Sequence, residues 1–287
     1  MVAGFRRSLS LSGLSPSASP ARCRRRDAPA PHHTRSVSLP CRSHPALSLL
    51  HDEIRSSADL GSPFAAAAAS SGLERADRLL AALDDLLRLP QTQEPLRRRP
   101  AWADRLLDGV LRLADAQGSF RSASISLAQH TAEARAAARR RDPARLASAA
   151  RSQRRAEKEL AALASAIKDL ARCPPFAPGL WADAAEAEVA GIVAEAVAAV
   201  ASTMSAVFLG VASSAAAASS SKDYSWRVWA LRKASSPLRT KEAEEAEIAT
   251  MAKLEESMEG VEEGSERVYR SLVNIRVALL NILTPSL

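Results

Sequence analysis

The chain is poor in the residues from which catalytic and metal sites are usually built. Its three cysteines are widely spaced and form no CxxC pair, and no secretory hydrophobic segment precedes them, so we expect a reducing compartment. Four of the five histidines lie within residues 1–51, which leaves His130 alone in the rest of the chain. A general base needs a nucleophile and an orienting partner nearby, so we interpret His130 as a solvated surface residue.

Glycines and metal ligands give no better signal for catalysis. The eleven glycines are scattered, so no loop for cradling phosphate is indicated. The Cys and His residues within 23–44 match no zinc-finger spacing and alternate with Pro and Arg. We therefore expect a protein that is not an enzyme and that has no catalytic residues, no metal and no cofactor.

Aromatic residues and strand patterns are also scarce. Aromatics make up 4% of the chain, and much of its 47% hydrophobic content is alanine. No alternating run of β-branched residues is bounded by turns. The sequence predicts an all-α protein: an elongated bundle of five to six long helices behind a disordered basic N-terminal tail.

The formal net charge of +7 lies entirely in that tail. Residues 1–51 hold eight arginines and one acidic residue, whereas the remainder holds 31 basic and 31 acidic residues. A body without net charge has no field to steer phosphates, so we expect no nucleic-acid partner. Residues 1–43 are rich in Arg, Ser and Pro and are expected to be disordered.

Residues 44–287 are predicted to form a single helical-bundle domain. It contains a flexible linker near 61–71 and a polar loop near 219–240. Within this domain, a helix is predicted over 72–89. A polar loop follows over 90–100, with Thr92 as an N-cap. The next helix begins at Ala101 and is expected to pause around Gly118. Asp142-Pro143 opens a further helix, with the aspartate as N-cap and the proline at N1. Gln153 is the polar exception on the apolar stripe of that helix.

The last 47 residues carry an apolar stripe in steps of four and three. Only Ser265 interrupts it, and Gly260 and Gly264 are interpreted as weak points of the helix. The stripe packs inside one chain or forms a parallel homodimer, and both remain open. The residues expected at the packing surface or interface are Leu272, Ile275, Leu279 and Ile282.

The segment 197–221 has no charged residue and is long enough to span a bilayer. It consists mostly of Ala and Ser, which gain little free energy on insertion, so a buried helix in the centre of the bundle is the favoured interpretation. A membrane-associated protein anchored through 197–218 remains the alternative.

One short motif in the tail predicts a defined interaction. In Arg35-Ser36-Val37-Ser38-Leu39-Pro40, Ser38 is a candidate phosphorylation site, with Arg35 and Pro40 as the flanking recognition residues of a 14-3-3-type reader. An Arg-rich, Ser-rich and acid-poor composition is also that of an organelle transit peptide. We favour a retained regulatory tail and a cytoplasmic protein, with a plastid location as the alternative.

Four blocks in the same order resemble the plant BYPASS-related family. They are Arg35 to Pro45, Asp84-Asp85-Leu86-Leu87-Arg88-Leu89-Pro90-Gln91-Thr92-Gln93, Trp102 to Leu113 and Arg276 to Leu283. The resemblance implies a regulatory role in root and shoot development, and it implies no catalytic residues. We expect action through helical protein contacts; an organelle protein that binds or controls a small-molecule signal is the further alternative.

Overall fold

The described part of the chain folds into seven α-helices and contains no strand. The computed structural model describes residues 45–58, 66–172, 184–218 and 237–284, all of which belong to one compact unit. The helices are α1 (Pro45–Ala58), α2 (Ala66–Leu87), α3 (Pro90–Arg98), α4 (Pro100–Arg140), α5 (Pro143–Ala171), α6 (Ala184–Ala218) and α7 (Pro237–Leu283). The all-α prediction is confirmed.

Five of the helices pack in a closed cyclic order. α2 contacts α7, α7 contacts α4, α4 contacts α5, α5 contacts α6, and α6 returns to α2. The pairing of Gln117 with Ser265 and of Arg135 with Glu255 shows that α4 and α7 are antiparallel. α2 and α7 run in parallel, because Ser70 lies beside Gly260 and Leu73 beside Gly264.

Helix α6 also contacts helices other than its two neighbours in this ring. It contacts each of the other six described helices. Phe208 of α6 stacks on Phe120 of α4, with ring centroids 4.1 Å apart, and both rings are fully buried. Residues Ala184–Ala217 are also long and apolar enough to cross a membrane, and more than half of their most apolar window is buried in the bundle. The same alanine-rich sequence therefore serves as a core helix here.

The predicted helix start at Asp142-Pro143 is confirmed. The Asp142 carboxylate accepts hydrogen bonds from the backbone N–H groups of Ala144 and Arg145, both at 3.1 Å. Pro143 occupies N1, and Arg141, with φ 55°, closes the preceding helix in the left-handed region. One three-residue junction thus ends α4, reverses the chain and caps α5.

The predicted polar loop over 90–100 is wrong, because residues Pro90–Arg98 form α3. Leu89 is its N-cap and Pro90 opens its first turn. Thr92 lies inside the helix and is buried, so its predicted N-cap role is wrong as well. Proline at N1 is preorganised for a helix, and the i, i+4 spacing of Thr92 and Leu96 turns both towards the core.

Three other helix boundaries differ from those predicted. α2 begins at Ala66, so residues 66–71 are helical rather than linker, as expected of an alanine run. α4 continues through Gly118 without a pause. α7 begins at Pro237, so residues 237–240 are helical, while 219–236 lie outside the described residues.

Candidate functional site

The predicted phosphorylation motif lies outside the described residues. Arg35, Ser38 and Pro40 all fall within 1–44, of which the structure gives no description. The motif therefore stays a prediction from sequence.

The predicted packing residues of α7 lie inside the bundle. Leu272, Ile275, Leu279 and Ile282 are buried and belong to the main hydrophobic core. α2 and α4 of the same chain pack along this helix. The stripe is therefore covered within one chain.

A second apolar row on α7 faces outward, and the sequence analysis missed it. Tyr269, Val273, Val277 and Leu280 are 38, 37, 50 and 39% exposed. We call these four residues the α7 outer face. Their spacing of four, four and three residues was visible in the sequence, but the buried stripe beside it gave the stronger signal.

Within α7, the charges that follow residue 266 all have one sign. Between residues 267 and 287 the chain has Arg267, Arg270 and Arg276 and no acidic residue. Arg270 pairs with Glu266 one turn earlier, but its side chain remains 72% exposed. Arg276 is also exposed. The outer face is thus an apolar strip bordered by guanidinium groups.

Ser265, the break in the apolar stripe, is a buried hydrogen-bonding position. The Gln117 amide Nε2 donates to the Ser265 hydroxyl at 2.9 Å and to the Ser265 carbonyl at 3.2 Å. Both side chains are fully buried. A polar pair therefore fixes the register between α4 and α7 at the point where the stripe is interrupted.

Gln153, the polar exception on α5, has a similar role between α4 and α5. Its Nε2 donates to the Thr131 hydroxyl at 3.1 Å, and that hydroxyl donates to the Leu127 carbonyl at 2.8 Å. Gln153 is fully buried, so it faces inward but contacts a neighbouring helix rather than an open pocket.

A cavity of about 170 Å³ lies between α4 and α7, and we call it the α4–α7 cavity. Its charged residues are Arg121, Glu255, Glu259 and Glu262. Its apolar wall consists of Ile125, Ala128 and Met258. The hydroxyl-bearing residues Ser124 and Ser265 complete the lining, which places the cavity directly beside the Gln117–Ser265 pair.

Two ion pairs tie the cavity walls together. Arg121 pairs with Glu266, and Arg135 pairs with Glu255 at 2.8 Å. Three buried polar atoms in the walls nevertheless have no hydrogen-bond partner: Ser124 Oγ, Glu255 Oε1 and Arg121 Nε. These three atoms have almost no accessible surface, so they lie behind the cavity walls and are not exposed to its interior.

His130 is half-buried rather than fully solvated. Its Nδ1 lies 3.6 Å from a carboxylate oxygen of Glu133 one turn later. Within the described ranges, no group of three or more His, Cys, Asp or Glu side chains is placed to hold a metal ion.

The comparison with protein families shows which family the chain belongs to. The profile described as "Protein BPS1" matches residues 72–282, well over half of the sequence. The chain belongs to the BPS1 family. Membership confirms the resemblance to the BYPASS-related family and links the chain to plant development. The matched region includes the α4–α7 cavity and the α7 outer face, but not the Arg35–Pro40 motif. Neither the comparison with curated proteins nor that with solved structures finds a match.

Proposed function

We propose that this BPS1 family member is a non-catalytic, cytoplasmic regulator of root and shoot development that acts through protein contacts. The observation that carries the proposal is the α7 outer face, a row of four exposed apolar side chains on a helix whose other apolar stripe is buried. Apolar rows of this kind, bordered by polar groups, are typical of protein interaction sites.

The charges beside the α7 outer face indicate the chemistry of the partner. The outer face is bordered by Arg270 and Arg276, and no carboxylate lies between residues 267 and 287. An amphipathic helix with acidic residues beside its apolar face complements both features, since apolar side chains cover the row and carboxylates pair with the guanidinium groups. The partner is accordingly a protein that presents an acidic helix.

A second copy of this chain fits the same surface poorly. A two-fold contact through the outer face sets Tyr269 against Leu280 and Val273 against Val277 of the other copy. The arginines of both copies then border the same contact, and like charges placed together disfavour it. We therefore expect the chain to remain a monomer through this surface.

Phosphorylation of the N-terminal tail is the regulatory part of this proposal. Phosphorylation of Ser38 would add nearly two negative charges next to Arg35, in a sequence context that a 14-3-3-type reader binds. The reader would then control access to the chain or its location, while the α7 outer face binds the acidic helix.

Complementation in plants that lack the protein tests the proposal. The wild-type chain is expected to restore root and shoot growth. The double variant Val273→Asp/Val277→Asp is expected to fail at equal abundance and equal melting temperature, because it places carboxylates in the apolar row. Arg270→Glu/Arg276→Glu is expected to fail too, since it repels an acidic partner.

Leu49→Asp is the matched control. Leu49 lies on α1 and is 63% exposed, so the variant introduces the same charge at a surface apolar residue away from α7. It should restore growth like the wild type. Full restoration by the Val273/Val277 double variant would overturn the proposal, and sedimentation of the wild type as a dimer that this variant dissociates would assign the surface to a second copy instead.

A further inference from the structure

We propose that the first half of α5 and the adjoining second half of α6 form a docking surface for an anionic phospholipid bilayer. We call this surface the α5–α6 face. It consists of Arg151, Arg154 and Arg155 of α5 and of Leu209 and Ser213 of α6. The proposal goes beyond the protein-contact function and rests on different residues, so either can fail without the other.

The first half of α5 has a local excess of positive charge, although the body as a whole is neutral. Residues 143–156 contain four arginines and no acidic residue. Arg145 pairs with the N-cap carboxylate at the start of the helix. Arg151 and Arg155 are exposed and Arg154 is half-buried, and none of the three pairs with a carboxylate in the described part of the chain. Their guanidinium groups are therefore available to an external anion.

Two contacts show that α5 and α6 are antiparallel. The Ser205 hydroxyl donates a hydrogen bond to the Ala164 carbonyl at 2.9 Å. A Cβ atom added at Gly109 would stand 4.0 Å from side-chain atoms of both Leu170 and Val197, so these two residues lie close together. Residues further along α5 thus meet residues further back along α6. The start of α5 accordingly lies beside the end of α6.

The part of α6 beside the arginines is uncharged. Arg155 lies nine residues before Ala164 and Ser214 lies nine after Ser205, so the equal rise of the two helices places Arg155 level with Ser214.

Residues 197–218 of α6 contain no charged side chain, so this neighbour supplies no carboxylate to neutralise the arginines. Leu209 is 43% exposed and Ser213 is exposed too. The α5–α6 face therefore combines unpaired guanidinium groups with an uncharged, partly apolar flank.

This combination favours a bilayer over a nucleic acid. Proteins that bind single strands stack the bases on aromatic side chains. Residues 143–172 and 184–218 contain one aromatic residue, Phe208, and it is buried. Basic residues are attracted to the negative surface of a leaflet that contains anionic lipids, and an apolar side chain gains free energy at the boundary between headgroups and acyl chains. The arginines and Leu209 match these two features of a bilayer surface.

Sedimentation with vesicles tests the proposal. The probe is a vesicle of phosphatidylserine mixed with phosphatidylcholine, and a vesicle of phosphatidylcholine alone is its uncharged counterpart. Because the N-terminal tail is basic as well, the measurement uses a full-length chain in which the eight arginines of residues 1–51 are replaced by glutamine. We call this chain the parent.

The parent is expected to bind the anionic vesicles at least about tenfold more strongly than the neutral ones, because each basic residue near an anionic surface strengthens binding about fivefold. Raising the salt concentration should release it, since salt screens the attraction between exposed charges. An anchor inserted through 197–218 would bind both vesicles and would resist salt.

Substitutions in the parent locate the surface. Arg151→Gln/Arg155→Gln should weaken binding to the anionic vesicles by about tenfold or more. Arg88→Gln/Arg112→Gln is the matched control: it removes the same charge, but Arg88 pairs with Asp84 on α2 and Arg112 lies on α4. It should bind like the parent. Thermal unfolding confirms that both variants are folded.

Three outcomes would overturn the proposal. The first is equal binding of the parent to anionic and neutral vesicles, and the second is unchanged binding by the Arg151/Arg155 variant. The third is binding of the parent to a double-stranded RNA, lost in that variant, without binding to anionic vesicles. This last result would assign the α5–α6 face to a nucleic acid.

Discussion

Leu73 of α2 lies directly over Gly264 of α7. A Cβ atom added at position 264 would stand 3.0 Å from the Leu73 Cβ and 3.1 Å from its Cδ1. Carbon atoms in favourable contact are about 3.5–4.0 Å apart, so the two helices approach as closely as a residue without a side chain permits. A Cβ atom added at Gly260, one turn earlier, would stand 2.8 Å from the Ser70 hydroxyl oxygen. The glycines interpreted as weak points are contact points between α2 and α7.

Replacing Gly264 by alanine is expected to destabilise the protein, although alanine is the better helix former. The added methyl group must push α2 and α7 apart, and such overpacking typically costs about 1–3 kcal/mol. The middle of that range exceeds the helix-propensity gain of about 0.5–1 kcal/mol. Chemical unfolding of the wild type and Gly264→Ala measures the difference in the free energy of unfolding.

Gly191→Ala is the control for this substitution. Gly191 lies in α6, is exposed, and has no atom within 4 Å of an added Cβ. The same change should therefore raise the free energy of unfolding by about 0.5–1 kcal/mol. If both variants shift stability in the same direction, the close approach of Leu73 to Gly264 is not what restricts position 264.

Gln117 and Ser265 are expected to contribute to stability as a pair. Ser265→Ala removes the 2.9 Å hydrogen bond and so leaves the buried Gln117 amide with one hydrogen bond fewer. We expect the free energy of unfolding to fall by about 1–3 kcal/mol. Gln117→Leu should cost a similar amount. The double variant should cost less than the sum, because it buries no unpaired donor. A double-mutant cycle by chemical unfolding measures the coupling; additive costs would mean that the two side chains stabilise the fold independently.

The contribution of the Asp142 N-cap to the free energy of unfolding should also be measurable on its own. Asp142→Ala leaves the N–H groups of Ala144 and Arg145 without their acceptor and is expected to lower the free energy of unfolding by about 0.5–2 kcal/mol. Asp142→Asn retains a side-chain oxygen and should cost much less. Comparing the two by thermal unfolding separates the cap from any other effect of the substitution, and equal losses would contradict it.

Local signals predicted those parts of the fold that depend on neighbouring residues. The Asp142-Pro143 start and the buried stripe on α7 follow from spacing and side-chain type alone. The α4–α7 cavity, the contact of Leu73 with Gly264 and the Gln117–Ser265 pair join residues well over a hundred positions apart. Nothing in the spacing along one helix shows which turn of another helix lies beside it. The predicted N-cap role of Thr92 was wrong for a related reason: its side chain is polar, but tertiary packing buries it.

Phosphorylation of Ser38 should create binding to a 14-3-3 protein. Full-length chain phosphorylated at Ser38 is expected to bind it measurably, whereas Ser38→Ala and Arg35→Ala treated with the same kinase should not, because the reader needs the phosphate and the kinase needs the arginine. Ser36→Ala is the matched control and should bind like the wild type. Native protein that never carries phosphate at Ser38 would rule out this switch.

Cell fractionation is expected to place the full-length chain, tagged at its C-terminus, in the soluble cytosolic fraction with an intact N-terminus. Val200, Met204, Val207 and Val211 of α6 are fully buried, so inserting this helix into a bilayer would break its contacts with six other helices. Its Ala and Ser residues would regain little free energy there. Retention in the membrane fraction after carbonate extraction would instead favour an anchor through 197–218. An N-terminus beginning near residues 30–60 in an organelle fraction would show that the tail is a transit peptide, and Ser38 would then have no role in a tail that is removed.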